Sequence, residues 1–164
     1  MTAPRASAKR TSAAPHAVLR PLRRSLPMTM LRAREAVMER FRGMLRDHGL
    51  TEQQWRVIRV LAEREPLEVT DLAARSFLLP PSLSRILKFL AERRLVTRRA
   101  LNADQRRHAV RLTAAGRRLF RRIAPLSEGI YRDLERAFGE TNLEQLYALL
   151  SELEQTLAPQ KPKP

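Results

Sequence analysis

The segment that most constrains the fold of this chain predicts a β-hairpin that leads directly into a helix. Two runs suited to β-strands, residues 95–99 and 108–112, flank a polar turn at residues 102–105, and Thr113 is placed to cap the following helix. Residues 70–94, immediately upstream, have the apolar spacing and turn residues of a helix–turn–helix. A hairpin that directly follows a helix–turn–helix predicts a winged helix, and therefore DNA binding.

The helix predicted from Pro80 to about Arg93 is the expected DNA-reading element, and Leu83, Ile86, Leu87 and Leu90 form its predicted inward stripe. Arg85 is the principal candidate for base contact, because a guanidinium can donate two hydrogen bonds to O6 and N7 of guanine. In the predicted wing, Arg106 is placed to enter a minor groove, and Asp104 is expected to stiffen the turn by a local ion pair. The predicted DNA-contacting residues are Ser82, Ser84, Arg85, Lys88, Arg98, Asp104, Arg106 and Arg107.

The net charge of +15 is unevenly distributed along the 164 residues. Residues 93–122 contain eleven arginines and one acid, whereas residues 123–157 contain two basic residues and seven acids. Such segregation predicts that one side of the molecule binds a polyanion. The alternative, a basic surface that is only solvated, does not account for this segregation.

Long predicted helices flank the helix–turn–helix and the hairpin. The first runs from Pro27 to His48, and the last has leucines at steps of three and four from Leu143 to Leu157, a seam suited to packing against a second copy of the chain. The expected fold is mainly α with a small β-wing: a winged helix-turn-helix with long N- and C-terminal dimerisation helices. Four segments are predicted: a disordered basic tail at 1–20, an N-terminal dimerisation helix at 21–50, a DNA-binding lobe at 51–113 and C-terminal dimerisation helices at 114–158.

Local signals predict further details of the secondary structure. Residues 67–69 are expected to form a third short strand beside the wing, and Thr70 is expected to cap a short helix over residues 71–77. Pro125 is predicted to kink the long helix that follows the wing, and Asn142 is predicted to cap the last helix.

Arg34 falls near the centre of the apolar face of the first predicted helix, where a charge has to be paired. One interpretation is a structural ion pair, with His48 as a satisfied histidine in the core or at the helix end. The other is an anion pocket, in which Arg34 binds the carboxylate of a small aromatic acid and His48 binds a ring substituent. The nearby acids, including Glu35, are expected to project to other faces. The candidate ligand-binding residues are Arg34, His48, Trp55, Phe41 and Met30.

The wing segment also carries a family resemblance. Asp104-x-Arg106, followed by Leu112-Thr113-x-x-Gly116, resembles the wing signature of the multiple antibiotic resistance regulator (MarR) family, and Ser84-Arg85 resembles the pair on that family's recognition helix. The similarity extends over residues 26–157. Arg94 departs from the pattern, because the family usually has glycine there, the natural residue for a left-handed helix end.

The resemblance implies a homodimer that binds double-stranded DNA at a palindromic operator. It also implies an effector, since members of the family often bind phenolic or aromatic carboxylates between the dimerisation helices and the DNA-binding lobe. Residues 31–35, Leu-Arg-Ala-Arg-Glu, are similar to regulators of homoprotocatechuate and related aromatic-acid degradation.

The expected function is a sequence-specific transcriptional regulator, a repressor released by a small aromatic carboxylate. An architectural DNA-binding protein, which would respond to no ligand, and a protein-interaction scaffold, which would not bind DNA, are the alternatives. Catalysis and cofactors are not expected, because the three histidines have no metal-ligand spacing and no glycine-rich phosphate loop occurs. Without a secretory signal or an apolar run near 18 residues, the chain is expected to be a cytoplasmic bacterial protein with no membrane partner.

Overall fold

The computed structural model describes residues 21–101 and 104–158. The predicted basic tail, residues 1–20, lies outside these ranges, as do Asn102 and Ala103 of the predicted turn. A short 3₁₀ turn, Leu22–Arg24, precedes the regular elements. In chain order these are α1 Leu26–Asp47, α2 Glu52–Glu63, β1 Leu67–Glu68, α3 Val69–Arg75, α4 Pro80–Glu92, β2 Val96–Leu101, β3 Asp104–Leu112, α5 Ala114–Phe138 and α6 Glu140–Leu157.

The described part of the chain divides into two compact units, one ending at Val37 and the other beginning at Met38. In the first unit, the helical residues 26–37 leave large apolar side chains exposed, namely Leu26, Met30, Leu31 and Val37. The second unit contains the three strands, the rest of the helices and the hydrophobic core. The predicted mainly helical fold with a small β-wing is confirmed.

The hydrophobic core of the second unit fixes the orientation of α4. The inward stripe predicted for this helix, Leu83, Ile86, Leu87 and Leu90, is buried throughout. Each such side chain contributes about 1.5–3 kcal/mol when it is removed from water. Because this face of α4 is held in the core, the opposite face is directed to solvent along the length of the helix.

The wing is an antiparallel three-stranded sheet in the order β1-β3-β2. Strand β2 pairs with β3 from Val96↔Leu112 onward, and the register shifts between Ala100 and Leu101. Strand β1 pairs with β3 through Leu67↔Val110 and Glu68↔Ala109. The predicted hairpin and its third short strand are both confirmed.

Helix α4 ends in a left-handed turn at Arg94. Arg93 is the C-cap, and Arg94 has a φ of 54°, which lies in the region that favours glycine. The amides of Arg94 and Leu95 donate to the carbonyls of Ala91 and Leu90, each at 2.8 Å, and form the two hydrogen bonds of a Schellman motif. The helix therefore ends in the geometry that the family's glycine implies, although a side chain in this conformation costs about 1–2 kcal/mol.

Thr113 and Gly116 join the start of α5 to the end of α4. The Thr113 hydroxyl donates to the Arg94 carbonyl at 2.6 Å and accepts the Gly116 amide at 3.0 Å, while the Thr113 amide donates to the Leu95 carbonyl at 3.0 Å. Gly116 lies directly against the Leu95 carbonyl, and a Cβ at this position would overlap the oxygen. The Thr-x-x-Gly spacing therefore holds the end of α4 against the first turn of α5.

The predicted cap at Thr70 is wrong. Helix α3 begins at Val69, with Glu68 as its N-cap residue, because β1 passes directly into the helix without a connecting loop. Thr70 consequently lies in the first turn of the helix.

The predicted cap at Asn142 is also wrong. Asn142 lies inside the first turn of α6, and its side-chain amide donates to the carbonyl of Phe138, at the end of α5, at 2.8 Å. Gly139, with a φ of 93°, makes the break between the two helices by itself. Helix α5 continues without interruption past Pro125.

We expect Gly116→Ala to lower the free energy of unfolding by about 1–3 kcal/mol, because the added methyl group must push α5 away from the Leu95 backbone. Gly43→Ala is the matched control: apart from its chain neighbours and the backbone of α1 itself, no described atom lies within 4 Å of its Cβ position, and the gain in helix propensity should stabilise the protein by about 1 kcal/mol. Urea unfolding measures both changes. A Gly116→Ala protein as stable as the parent would contradict the close packing at this junction.

Candidate nucleic-acid interface and aromatic cluster

The outward face of α4 carries the residues predicted to contact DNA. Ser84, Arg85 and Lys88 are exposed, and Ser82, in the first turn, is half-buried. These four residues lie opposite the buried stripe of the helix, so they project from a surface that the core holds in place. Short serine side chains next to an arginine allow close approach of a helix to the floor of a major groove.

The predicted wing contacts are placed on the hairpin. Arg98 is exposed on β2, beside the exposed Arg99. Asp104, Arg106 and Arg107 lie on β3, but their side chains are outside the part of the chain that the structure describes. Their contacts with DNA stay predictions from the sequence.

Two of the eleven arginines in the basic segment hold the fold together. Arg93 donates to the carbonyl of Gly49, at the end of α1, at 2.7 Å, and its guanidinium lies 5.5 Å from the centre of the Phe89 ring. Arg117 forms an ion pair with Glu65, which also accepts the Leu112 amide at 2.5 Å. From the sequence, both arginines were predicted to belong to one basic surface. The density of charge along a chain does not show which arginines form hydrogen bonds or ion pairs within the fold.

The second unit contains two pairs of aromatic residues, Phe41 with Tyr131 and Trp55 with Phe120, and we call these four residues together the aromatic cluster. The Phe41 and Tyr131 rings meet edge to face, with centroids 5.2 Å apart, and the Trp55 and Phe120 rings stack at 5.7 Å. Phe41 and Trp55, two of the predicted ligand-binding residues, are buried here. The cluster connects α1, α2 and α5.

Arg59 of α2 extends to this cluster. Its guanidinium donates to the Tyr131 hydroxyl at 3.3 Å, and both residues are half-buried. Within the described ranges, the structure gives Arg59 no carboxylate partner, and the guanidinium is met by the Tyr131 hydroxyl. Arg59 was not among the residues predicted from the sequence, although its position four residues after Trp55 places it on the same face of α2.

The Tyr147 phenol, close enough to be affected by Tyr131, has a raised pKa. Burial raises the pKa of Tyr147, on α6, above its ordinary value of 10.0, and the Tyr131 phenol and the Glu144 carboxylate raise it further. Tyr147 is therefore a neutral phenol at physiological pH.

Arg34 is partly exposed and has a carboxylate partner. Its side chain is 43% exposed and donates to Glu35 at 2.6 Å, so the expectation that Glu35 is directed away from Arg34 was wrong. Neighbouring residues on a helix differ by about 100° in direction, and two long flexible side chains can span that difference. Met30, in the same unit, is also exposed.

His48 follows the last residue of α1 and is half-buried. Its Nδ1 lies 2.8 Å from the carbonyl of Met44, and this contact satisfies one of the final carbonyls of the helix. The contact matches the interpretation of His48 as a helix-end histidine. A ligand contact through the other ring nitrogen stays a prediction.

A cleft of about 430 Å³ lies where α1 leads into α2, and it is lined by Arg42, Leu45, Arg46, Leu50, Thr51, Glu52 and Gln53. Arg42 forms ion pairs with Glu52 at 2.8 Å and with Glu39 at 2.7 Å. Because carboxylates already meet this guanidinium, the cleft is a poor receptor for an anion. It contains none of the predicted ligand-binding residues.

Comparison with known proteins identifies the family. A sequence profile described as MarR family matches residues 48–107. The homoprotocatechuate degradative operon repressor of Escherichia coli is 41% identical over 128 residues, which cover 78% of this chain and 86% of that protein. The chain belongs to the MarR family. It is accordingly a DNA-binding transcriptional regulator and not an enzyme.

Two solved structures share the fold. NadR in complex with 4-hydroxyphenylacetate is 36% identical, with a TM-score of 0.73, and the match covers 80% of this chain and 96% of that chain. The repressor CouR, bound to a 23-mer DNA duplex, is 27% identical, with a TM-score of 0.73 and coverage of 79% and 92%. Among residues 21–101 and 104–158 of this MarR regulator, no helix is both long and apolar enough to cross a membrane.

We expect Arg85→Ala to weaken binding to a preferred DNA site by about 1–3 kcal/mol and to relax the preference at one base pair, because a bidentate contact to guanine is lost. Duplexes that the parent protein selects from a randomised pool provide the site, and fluorescence anisotropy provides the affinity. Parent binding should weaken steeply with salt, by about 0.9 in log–log slope for each phosphate neutralised.

Arg132→Ala is the matched control for this measurement. It removes an exposed arginine from the acidic C-terminal half of α5 and should leave operator binding unchanged. An Arg85→Ala protein with the affinity and base preference of the parent would remove Arg85 from the interface.

Proposed function

We propose that this MarR family regulator is a repressor that leaves its operator when a small aromatic carboxylate binds. Two relatives support the proposal: one is named for repression of a homoprotocatechuate degradative operon, and the structure of NadR contains 4-hydroxyphenylacetate. Homoprotocatechuate and 4-hydroxyphenylacetate share a phenol and a carboxylate. A receptor for this chemistry needs a cation, a polar group and aromatic walls.

The observation that carries the proposal is the contact between Arg59 and Tyr131. A half-buried guanidinium that is met by a neutral hydroxyl is poorly compensated, and a carboxylate compensates it with two parallel charge-assisted hydrogen bonds. The edge of the aromatic cluster supplies apolar contact for a ring. Arg59 is therefore the carboxylate-binding residue in this proposal, with Phe41, Trp55 and Tyr131 beside the ligand.

The other ligand-binding residues predicted from the sequence stay in the proposal as alternative or additional ligand contacts. Arg34 is an alternative partner for the carboxylate, although it already pairs with Glu35. Met30 and His48 stay as predicted contacts, Met30 with the apolar part of the ligand and His48 with a ring substituent. The titrations described below distinguish Arg34 from Arg59.

A physical link from the aromatic cluster to α4 supports release of DNA by the ligand. Phe41 and Tyr131 lie on α1 and α5, so a ring inserted beside them moves α1. Arg93, at the end of α4, is hydrogen-bonded to Gly49, at the end of α1, and transmits this movement to the DNA-binding face. A coupling free energy of about 1–3 kcal/mol is sufficient for a switch of this kind.

We further propose that the regulator acts as a homodimer on a palindromic operator. No residue of α6 is buried in the described chain, and Leu146, Leu149, Leu150 and Leu157 are exposed. Phe138, the last residue of α5, is 53% exposed. A second copy would cover these side chains, and its two-fold axis would place half-sites about 10 bp apart. In this arrangement residues 51–113 form the DNA-binding lobe, and residues 21–50 and 114–158 form the dimerisation helices.

We expect 4-hydroxyphenylacetate to bind the parent protein and to weaken its affinity for the selected duplex. Arg59→Met should reduce the affinity for the acid by about 10- to 100-fold, since hydrogen bonds to a charged group are lost. Isothermal titration calorimetry measures ligand binding, with salicylate and hydroxynicotinate as further aromatic acids. Operator titrations with and without the acid measure the coupling.

Arg34→Ala is the matched control, because it removes an exposed arginine that already has a carboxylate partner. If Arg34→Ala abolishes ligand binding and Arg59→Met does not, Arg34 is the carboxylate-binding residue. If no aromatic acid weakens operator binding by the parent, the repressor proposal fails and the ligand-independent architectural protein is favoured.

The double variant Leu146→Asp/Leu153→Asp should be monomeric at micromolar concentration, because it places two charges on the leucine seam of α6. Gln145→Asp/Gln155→Asp adds the same charges to the other face of the helix and should remain dimeric. Multi-angle light scattering measures both. A monomeric parent, or a dimer that survives the leucine substitutions, contradicts the proposed interface.

A further inference from the structure

The turn between α3 and α4 exposes apolar side chains at the start of the DNA-binding face. Phe77 is 80% exposed and Leu79 is 74% exposed, whereas Leu78 between them is buried. Pro80 and Pro81, which open α4, are also exposed. We call residues 77–81 the apolar tip.

The stability of the fold does not explain why a phenylalanine occupies position 77. It has a φ of 50° and occupies the left-handed position of a Schellman motif, in which its amide donates to Ala74 at 3.2 Å and the Leu78 amide donates to Ala73 at 3.0 Å. Glycine or asparagine adopts this conformation with less strain, and either would expose less apolar surface. A phenylalanine here carries both disadvantages, so its side chain is explained by a contact outside the chain.

The start of α4 is also unusually apolar for a helix end. Thr51 caps α2 and Thr113 caps α5 through side-chain hydrogen bonds, whereas Leu79 makes none to the start of α4. Pro80 and Pro81 have no amide hydrogen, so two of the four amides that a helix start normally offers are absent. This end of α4 is therefore poorly equipped to bind a phosphate through its backbone and well equipped for apolar contact.

The position of the tip identifies its partner. In helix-turn-helix proteins the first residues of the recognition helix contact base edges in the major groove. The tip directly precedes Ser82, Ser84 and Arg85 in the chain, and Pro80 and Pro81, which lead into them, are exposed. The apolar group that a major groove presents is the C5-methyl group of thymine.

We propose that Phe77 and Leu79 contact thymine methyl groups in the operator and give the site a preference for thymine beside the base read by Arg85. The inference rests on α4 as the DNA-reading helix and is independent of the effector. These contacts add apolar binding energy to a face on which the arginines attract DNA electrostatically. The second copy in a dimer would repeat the contact in the other half-site.

Replacing thymine with uracil tests the contact, because this change removes the methyl group and keeps every hydrogen-bonding atom of the base. The probe is the duplex that the parent protein selects from a randomised pool, with uracil introduced at one thymine at a time. We expect one or two positions in each half-site to lose about fourfold in affinity per methyl group, which corresponds to about 0.8 kcal/mol.

Protein variants establish which residues contact these positions. Phe77→Asn and Leu79→Asn should weaken binding to the thymine duplex and should show no further loss with uracil at the sensitive positions. Phe77→Leu, which keeps an apolar side chain, should retain most of the affinity. Phe77→Asn should also keep or raise the melting temperature, because asparagine tolerates the left-handed conformation, so weaker binding cannot be attributed to unfolding.

Three results would overturn the inference. The first is parent-like binding of the selected duplex by Phe77→Asn and Leu79→Asn. The second is that, at every thymine, the loss of affinity caused by the protein substitution and the loss caused by uracil add in full. Such additivity would mean that the substituted side chain and the thymine methyl group do not touch. The third is a change in oligomeric state without a change in operator affinity, which would assign the tip to a protein contact. Failure of the parent to select any duplex would instead refute the role of α4 in reading DNA.

Discussion

The Leu95 carbonyl oxygen accepts the Thr113 amide where α4 has just ended and α5 is about to begin, and this contact holds α4, whose buried face the core orients, against the start of α5. Gly116 leaves room for it, and the Thr113 hydroxyl secures the adjacent Arg94 carbonyl. The wing hairpin is closed at the same place, since β2 begins at Val96 and β3 ends just before Thr113. One junction thus sets the positions of the reading helix, the wing and the long helix that leads to α6.

The arginines of this chain have different roles despite identical charge. Arg85 is exposed on the face opposite the core, whereas Arg93 holds α4 to the end of α1 and Arg117 pairs with Glu65 at the base of the wing. Arg59 is half-buried against a phenol. Binding a polyanion requires exposed cations, whereas binding a small acid requires a cation that is sheltered from water. The same residue type therefore serves the fold, the predicted DNA contacts and the proposed effector site according to its burial.

The sequence predicted the elements whose signals are periodic, including the buried stripe of α4, the wing and the third strand. Predictions from the sequence were wrong where contacts with a neighbouring helix or strand determine the local structure. Thr70 resembles a cap, but β1 runs directly into α3, and a pattern within one segment does not reveal the absence of a loop. Arg34 was singled out from the apolar stripe of one helix, although the structure exposes it beside Glu35. Arg59 is a candidate because Tyr131 of α5 lies against it, and the sequence does not show this contact between distant residues.

The central claim is that this MarR family protein reads DNA sequence through a rigidly held helix and is not a general DNA-binding protein. Sequencing the genomic fragments that the purified protein retains at physiological salt tests this claim directly. The account predicts a small set of sites with one shared palindrome, whose half-sites lie about one helical turn apart. Retention of fragments across the genome without a common sequence would contradict it.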